Sequence, residues 1–139
     1  MGRLLAIDYG LKRVGIAVTD PLQLIPNALE TVAQVEIFSY LKNYCMQEEV
    51  DAFIVGDPKN LDNTPSEIAN AVNLFINQLQ ALFPAKKVFR IDERFTSKMA
   101  AKALFDAGYK KKFRRDKNNI DKISAVILLQ NYLEIKQQS

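Results

Sequence analysis

Three acids in this chain stand where strands end or a helix begins: Asp8 closes an apolar run, Glu93 follows another, and Asp121 opens a helical pattern. A carboxylate at the end of an apolar strand is costly unless it meets water, a cation or a hydrogen-bond donor. Three hard oxygen donors suit magnesium or manganese, and one or two such ions can activate a water and stabilise the leaving oxygen in phosphodiester cleavage. The chain contains no histidine, which removes Ser-His-Asp and Cys-His catalysis, histidine metal ligands and the commonest general base. A hydrolase of this composition must work through carboxylates, lysine, tyrosine or a metal-activated water. Taken singly, each acid also has an ordinary explanation: Asp8 as a turn former, Asp92 and Glu93 as loop acids, Asp121 as a partner of the helix dipole. Their shared placement, in the order strand, strand, helix, is what favours a site.

Cations stand close to these acids. Lys12 and Arg13 fall in a tight turn after Asp8, and Arg94 follows Glu93, positions suited to flanking phosphates or, for the turn pair, simply to solubility. Between Lys110 and Lys117, six cations and one acid give +5, leaving −2 on the rest of a chain whose net charge is +3. A basic segment on a mildly acidic body points to a polyanionic partner, most simply nucleic acid. Lys110, Lys111, Lys112, Arg114 and Arg115 are the expected phosphate contacts, with Phe113 offering a ring for base stacking. A solvated loop is the commoner fate of such runs, but this one lies directly before the helix that carries Asp121.

The elements that must position these residues follow from the pattern. Residues 3–8 and 14–19 read as a β-hairpin, with Gly10 letting the backbone bend between them, and residues 28–32 supply a third strand of an antiparallel meander. From Gln34 to Glu49, Val35, Phe38, Leu41, Tyr44 and Cys45 recur at helical spacing. Residues 52–56 form a continuous apolar run, the mark of a parallel strand buried on both faces. Thr64, Pro65 and Glu67 match a capping box for a helix to about Phe83, and residues 87–91 give a last strand running into Asp92 and Glu93. Thr96 or Ser97 can cap a helix ending at Ala107, with Gly108 in the left-handed position after it. Asn118 or Asn119 can cap the final helix, placing Asp121 in its first turn and Ser124, Ala125, Leu128 and Tyr132 on the same face.

At 139 residues, 48% apolar and 25% charged, the chain suits one domain, residues 1–139, that buries about two thirds of its unfolded surface. No apolar run approaches the roughly 18 residues of a membrane helix, and the opening residues lack the pattern of a signal peptide, so a cytoplasmic protein without membrane contact is expected. The single cysteine, Cys45, excludes an internal disulfide and reads as a structural thiol.

Several of these words in order resemble the YqgF/RuvX family of pre-16S ribosomal RNA nucleases, also called Holliday junction resolvase-like proteins. The resemblance is carried by Ile7-Asp8-Tyr9-Gly10, Lys12-Arg13-Val14-Gly15 and Ala17-Val18-Thr19-Asp20-Pro21, then by Val55-Gly56 before Pro58. Further on, it is carried by Asp92-Glu93-Arg94 with Thr96, by the basic run, and by Ile120-Asp121-Lys122 with Ala125. It spans nearly the whole chain. It implies a ribonuclease H-like α/β fold: a mixed five-stranded sheet, three strands in an antiparallel meander and two parallel, with helices on both faces. It also implies a magnesium or manganese site of Asp8, Glu93 and Asp121. Neighbouring strand residues point to opposite faces, so only one of Asp92 and Glu93 should coordinate, and Glu93 is preferred. Two positions depart from the family. Asp57 replaces an apolar or aromatic residue and is expected to be an exposed loop acid, and Asn63 replaces a turn glycine.

The expected activity is metal-dependent endonucleolytic cleavage of structured nucleic acid, with precursor 16S ribosomal RNA as substrate. A Holliday junction resolvase acting on branched DNA and a non-catalytic RNA- or DNA-binding factor are the alternatives. Either a monomer or a homodimer is compatible, the latter required for symmetric cutting of a junction.

Overall fold

The alternation of large and small side chains along the first two strands decides how the sheet is covered. A computed structural model of the chain describes residues 2–58, 67–92, 99, 102–103, 105–108, 110 and 116–137. Five strands, β1 (Arg3–Tyr9), β2 (Arg13–Thr19), β3 (Pro26–Ala33), β4 (Val50–Asp57) and β5 (Lys87–Asp92), form one sheet in the order β3-β2-β1-β4-β5. The first three pair antiparallel, while β1 with β4 and β4 with β5 are parallel. This is the expected mixed sheet, and β4 is buried along nearly all its length, as its continuous apolar run requires.

On one face the strands present Leu5, Ile7, Tyr9, Val14, Ile16, Phe53 and Val55. Helix α1 (Ile37–Gln47) covers them with Ile37 and Leu41, and α2 (Glu67–Leu82) with Val72, Phe75, Ile76 and Leu79. The Tyr9 and Phe75 rings stack with centroids 4.3 Å apart, which buries the end of β1 beside Asp8. On the opposite face the same strands present Leu4, Ala6, Ala17, Ala52 and Ile54, mostly small, against Ala125, Leu128, Leu129 and Leu133 of α3 (Lys117–Gln137). Small strand residues let a single helix lie close to the sheet.

The approach is closest at Gly15. A Cβ there would overlap the backbone carbonyl of Asp121, so the main chain of α3 rests on the main chain of β2. A glycine inside a strand often marks such a contact. Near the other end, Tyr132 and Phe89 bring α3 to β5, with ring centroids 5.3 Å apart.

Several boundaries depart from expectation for local reasons. Residues Gln34–Glu36 form a 3₁₀ turn before α1, which rotates Val35 off the apolar stripe and leaves it 85% exposed, while Ile37 takes the buried place. Helix α3 begins two or three residues earlier than the asparagine caps suggested: the Asn118 amide donates to Asp116 Oδ1 at 2.9 Å, so Asp116 is the cap. Asp121 therefore falls in the second turn, beyond the unpaired amides, and no acid lies in the first. Asp57 ends β4, half-buried and facing Arg90 across 3.7 Å, rather than lying in an exposed loop. The capping box at Thr64 and Pro65, the turn at Asn63 and the helix start at Thr96 or Ser97 lie outside the described residues. Gly108 does adopt the left-handed conformation, with φ at 83°. Cys45 is half-buried and burial pushes its thiol pKa up, as fits a structural role.

Gly15→Ala should lower the unfolding free energy by about 1–3 kcal/mol, because the added methyl forces α3 off β2. Denaturant titration reads this directly, and a stability equal to the parent would contradict the close backbone contact.

Candidate active site

Asp8 is the last acid-bearing position of β1 before the turn, directly across the ladder from Gly15. Leu4 and Ala6 pack with α3, so the pleat puts Asp8 on the same face, partly buried, while Tyr9 belongs to the α1 and α2 layer. Asp121 lies on α3 where that helix crosses Gly15. Gly15 thus brings together two acids that are 113 residues apart in sequence.

The surrounding chain holds both carriers in place. The turn after Asp8 is tight because a side chain at Gly10 would meet the carbonyl of Arg13. Gln34 pins it twice: its amide N–H donates to the Lys12 carbonyl at 2.9 Å, and its Nε2 donates to Tyr9 Oη at 2.6 Å. The first turn of α3 is fixed by Thr31 Oγ1, which donates to the Asn118 carbonyl at 2.7 Å. Both anchoring residues lie in β3 or directly after it, a contribution the sequence pattern did not reveal.

Arg13 Nε donates to Asp121 Oδ2 at 3.0 Å, with side chains 35% and 23% exposed. At that exposure water screens the pair, and its contribution to stability is at most about 1 kcal/mol. Its effect on the site is larger: one of the two acids already holds a cation. Lys12 is exposed at the tip of the turn, and Lys110 is exposed as well.

The phase of β5 separates Asp92 from this arrangement. Phe89 and Ile91 pack with α3, whereas Val88 packs with the α1 and α2 layer. Asp92 shares the face of Val88 and Arg90, opposite to Asp8, and pairs in register with Asp57. On that face Arg90 Nη1 donates to Asn73 Oδ1 at 2.7 Å and faces Asp57. Asp57 and Arg90 are a separate structural pair. Glu93, Arg94, Lys111, Lys112, Phe113, Arg114 and Arg115 lie outside the described residues. Among the described residues no three acidic, cysteine or histidine side chains gather closely enough to hold a metal ion.

Two residues at this edge were not singled out for their part in the site from the sequence. Gly15 carried a signal, a glycine inside an apolar strand, which marks close approach. Ser124 carried a weaker one, a hydroxyl in a run of buried apolar residues; it is fully buried, and among the described residues its Oγ has no hydrogen-bond partner.

The family model for RuvX, described as Holliday junction resolvase, matches residues 2–135. A protein of Amoebophilus asiaticus named "Putative pre-16S rRNA nuclease" is 50% identical over 133 residues, covering 96% of this chain and 94% of its own. Proteins with the same name from Flavobacterium johnsoniae and Parabacteroides distasonis are 47% and 50% identical over 137 residues, each covering 99% of this chain and 99% and 98% of their own. Among solved structures, Thermus thermophilus RuvC in complex with a Holliday junction substrate superposes with a TM-score of 0.57 at 17% identity, covering 97% of this chain and 96% of that one. A further Thermus thermophilus RuvC structure gives 0.56 at 14%, covering 96% of each chain. These last two likenesses establish a shared fold.

Arg13→Gln is expected to bind manganese several-fold more tightly than the parent, since the ion no longer competes with a guanidinium for Asp121, and to lose no more than about 1 kcal/mol of stability. Calorimetric titration with manganese checks the first part; an unchanged affinity would show that Arg13 is no counter-ion to a cation site.

Proposed function

The chain belongs to the RuvX family of nucleases, and from that premise we propose that it is a divalent-cation-dependent endonuclease that trims precursor 16S ribosomal RNA. The observation that carries the reading is the convergence of Asp8 and Asp121 at Gly15, where α3 also brings a buried hydroxyl, Ser124 Oγ, that has no hydrogen-bond partner among the described residues.

The donor set fits magnesium or manganese: hard carboxylate oxygens, no histidine and no thiolate at this edge. Asp8, Glu93 and Asp121 would hold the ion, Glu93 being favoured over Asp92 because the phase of β5 turns Asp92 away from Asp8. When bound, such an ion neutralises charge at the scissile phosphate and makes a water nucleophilic near neutral pH. The remaining work is the chain's own. Lys12, exposed at the turn beside Asp8, is placed to hold a phosphate next to the scissile one, and Arg94 is proposed for the other side. Arg13 orients the Asp121 carboxylate through the Nε hydrogen bond, and its Nη groups are proposed to reach substrate phosphate. Lys110, Lys111, Lys112, Arg114 and Arg115 are proposed as a phosphate-binding segment leading into α3. Gly10 supplies the bend that brings this turn against the strand ends.

No helix among the described residues is long and apolar enough to cross a membrane. We place the protein's work in the cytoplasm, where ribosomal RNA is processed, and as a monomer, because trimming an RNA end needs a single site; a dimer would accompany paired cuts in a four-way DNA junction.

Asp8→Asn, Glu93→Gln and Asp121→Asn are each expected to abolish manganese-dependent cleavage of labelled precursor RNA, with binding to the same RNA in calcium or EDTA changed less than threefold. Full cleavage by all three variants would refute the assignment, and preferential cutting of four-way DNA junctions over RNA would move it to the resolvase reading. Affinity for the RNA should fall steeply between low and moderate salt, with a flatter slope once Lys111, Lys112, Arg114 and Arg115 are replaced by serine.

A further inference from the structure

Ser124 is one helical turn beyond Asp121, on the face of α3 that meets the sheet. Asp121 lies over Gly15, and the next residues inward, Ala125 and Leu128, pack with Ala6 and Ala17, the strand positions two before Asp8 and two after Gly15. Ser124 therefore occupies the space between the level of the two acids and the first layer of the core. It is 0% exposed and its Oγ has no hydrogen-bond partner among the described residues. A buried hydroxyl without a partner is unfavourable, and alanine, with a better helix propensity and no polar atom, would suit the same space. Ala6, Ala17, Ala52 and Ala125 show that this layer accommodates alanine readily.

We propose that Ser124 is a positioning residue for the cation site: its hydroxyl, unpartnered in the cation-free protein, takes a hydrogen bond when a hydrated divalent cation is held by Asp8 and Asp121. The inference rests on the reading of those two acids as ligands. Magnesium and manganese keep several waters when held by a few carboxylates, and each such water needs an acceptor or donor around it. The α3 residues that follow Ser124 in this layer, Ala125, Leu128 and Leu129, offer neither. Ser124 supplies the missing group and accepts or donates as the shell requires. The same hydroxyl that weakens the empty protein then orients the shell of the loaded one.

The two halves of the inference move in opposite directions under one substitution. In Ser124→Ala, the melting temperature of the cation-free protein should rise by a few degrees, because the orphaned hydroxyl is gone. Manganese affinity, measured by calorimetry, should fall about tenfold, and the rise in melting temperature produced by saturating manganese should shrink accordingly. A hydroxyl with only a structural role would lower the melting temperature when removed and leave manganese affinity alone; either result overturns the inference. Asp8→Asn separates it from the reading beneath it. If Asp8→Asn loses manganese binding while Ser124→Ala binds as the parent does, the acids are ligands and Ser124 is not a positioning group. If Asp8→Asn binds manganese as the parent does, the site itself is refuted and the inference falls with it.

Discussion

The contact of two backbones, α3 on β2 at Gly15, is the constraint on which the rest of this molecule depends. A helix normally stands off a sheet by the thickness of two side-chain layers. Here the strand offers glycine and alanine, and the helix answers with Ser124 and Ala125. The asymmetry of the sheet follows from the same choice. Large side chains are gathered on the α1 and α2 face, where Phe53, Phe75, Ile7 and Ile16 build the thicker layer. The face left thin is the one from which Asp8 emerges.

Charge is arranged around that contact in two independent groups. Asp8, Asp121 and Arg13 belong to the α3 face, and Asp57 and Arg90 to the other. Arg90 matters because Asp57 puts an acid at the end of an otherwise apolar strand. A half-buried acid at the end of β4 would otherwise raise the negative potential near the strand ends and oppose a phosphate. With Arg90 at 3.7 Å and Asn73 holding the same guanidinium, this charge is balanced on its own side of the sheet.

What could be read from the residues and what could not divide along the range of the interactions. Strand content, the parallel character of β4 and the left-handed Gly108 follow from neighbours in sequence, and all three are present. Val35 failed because helical periodicity does not announce where a 3₁₀ turn gives way to an α-helix. Asp116 displaced the asparagine caps because a cap is chosen by the geometry of the chain entering it, here tied to β3 through Thr31. The phase at the end of β5 needed the packing of Phe89 and Ile91 against α3, a contact more than thirty residues distant. Ser124 could be placed on the Asp121 face from its spacing, but its sequence neighbours are ordinary for a buried helix, and only the lack of a hydrogen-bond partner among the described residues marks its hydroxyl.

The absence of histidine acquires its meaning from this layout. No side chain of the chain has its ordinary titration between pH 5 and 8, and burial moves the Cys45 thiol further from that range. The protein is thus poorly equipped to shuttle protons at neutral pH and well equipped to hold fixed charges against one another. Asp121, held by Arg13 at 3.0 Å, is one such fixed charge, and Asp8 stands across the ladder from the glycine that Asp121 overlies. Thin packing at the α3 face keeps these groups against the sheet, while the large-residue layer beneath α1 and α2 supplies most of the buried core.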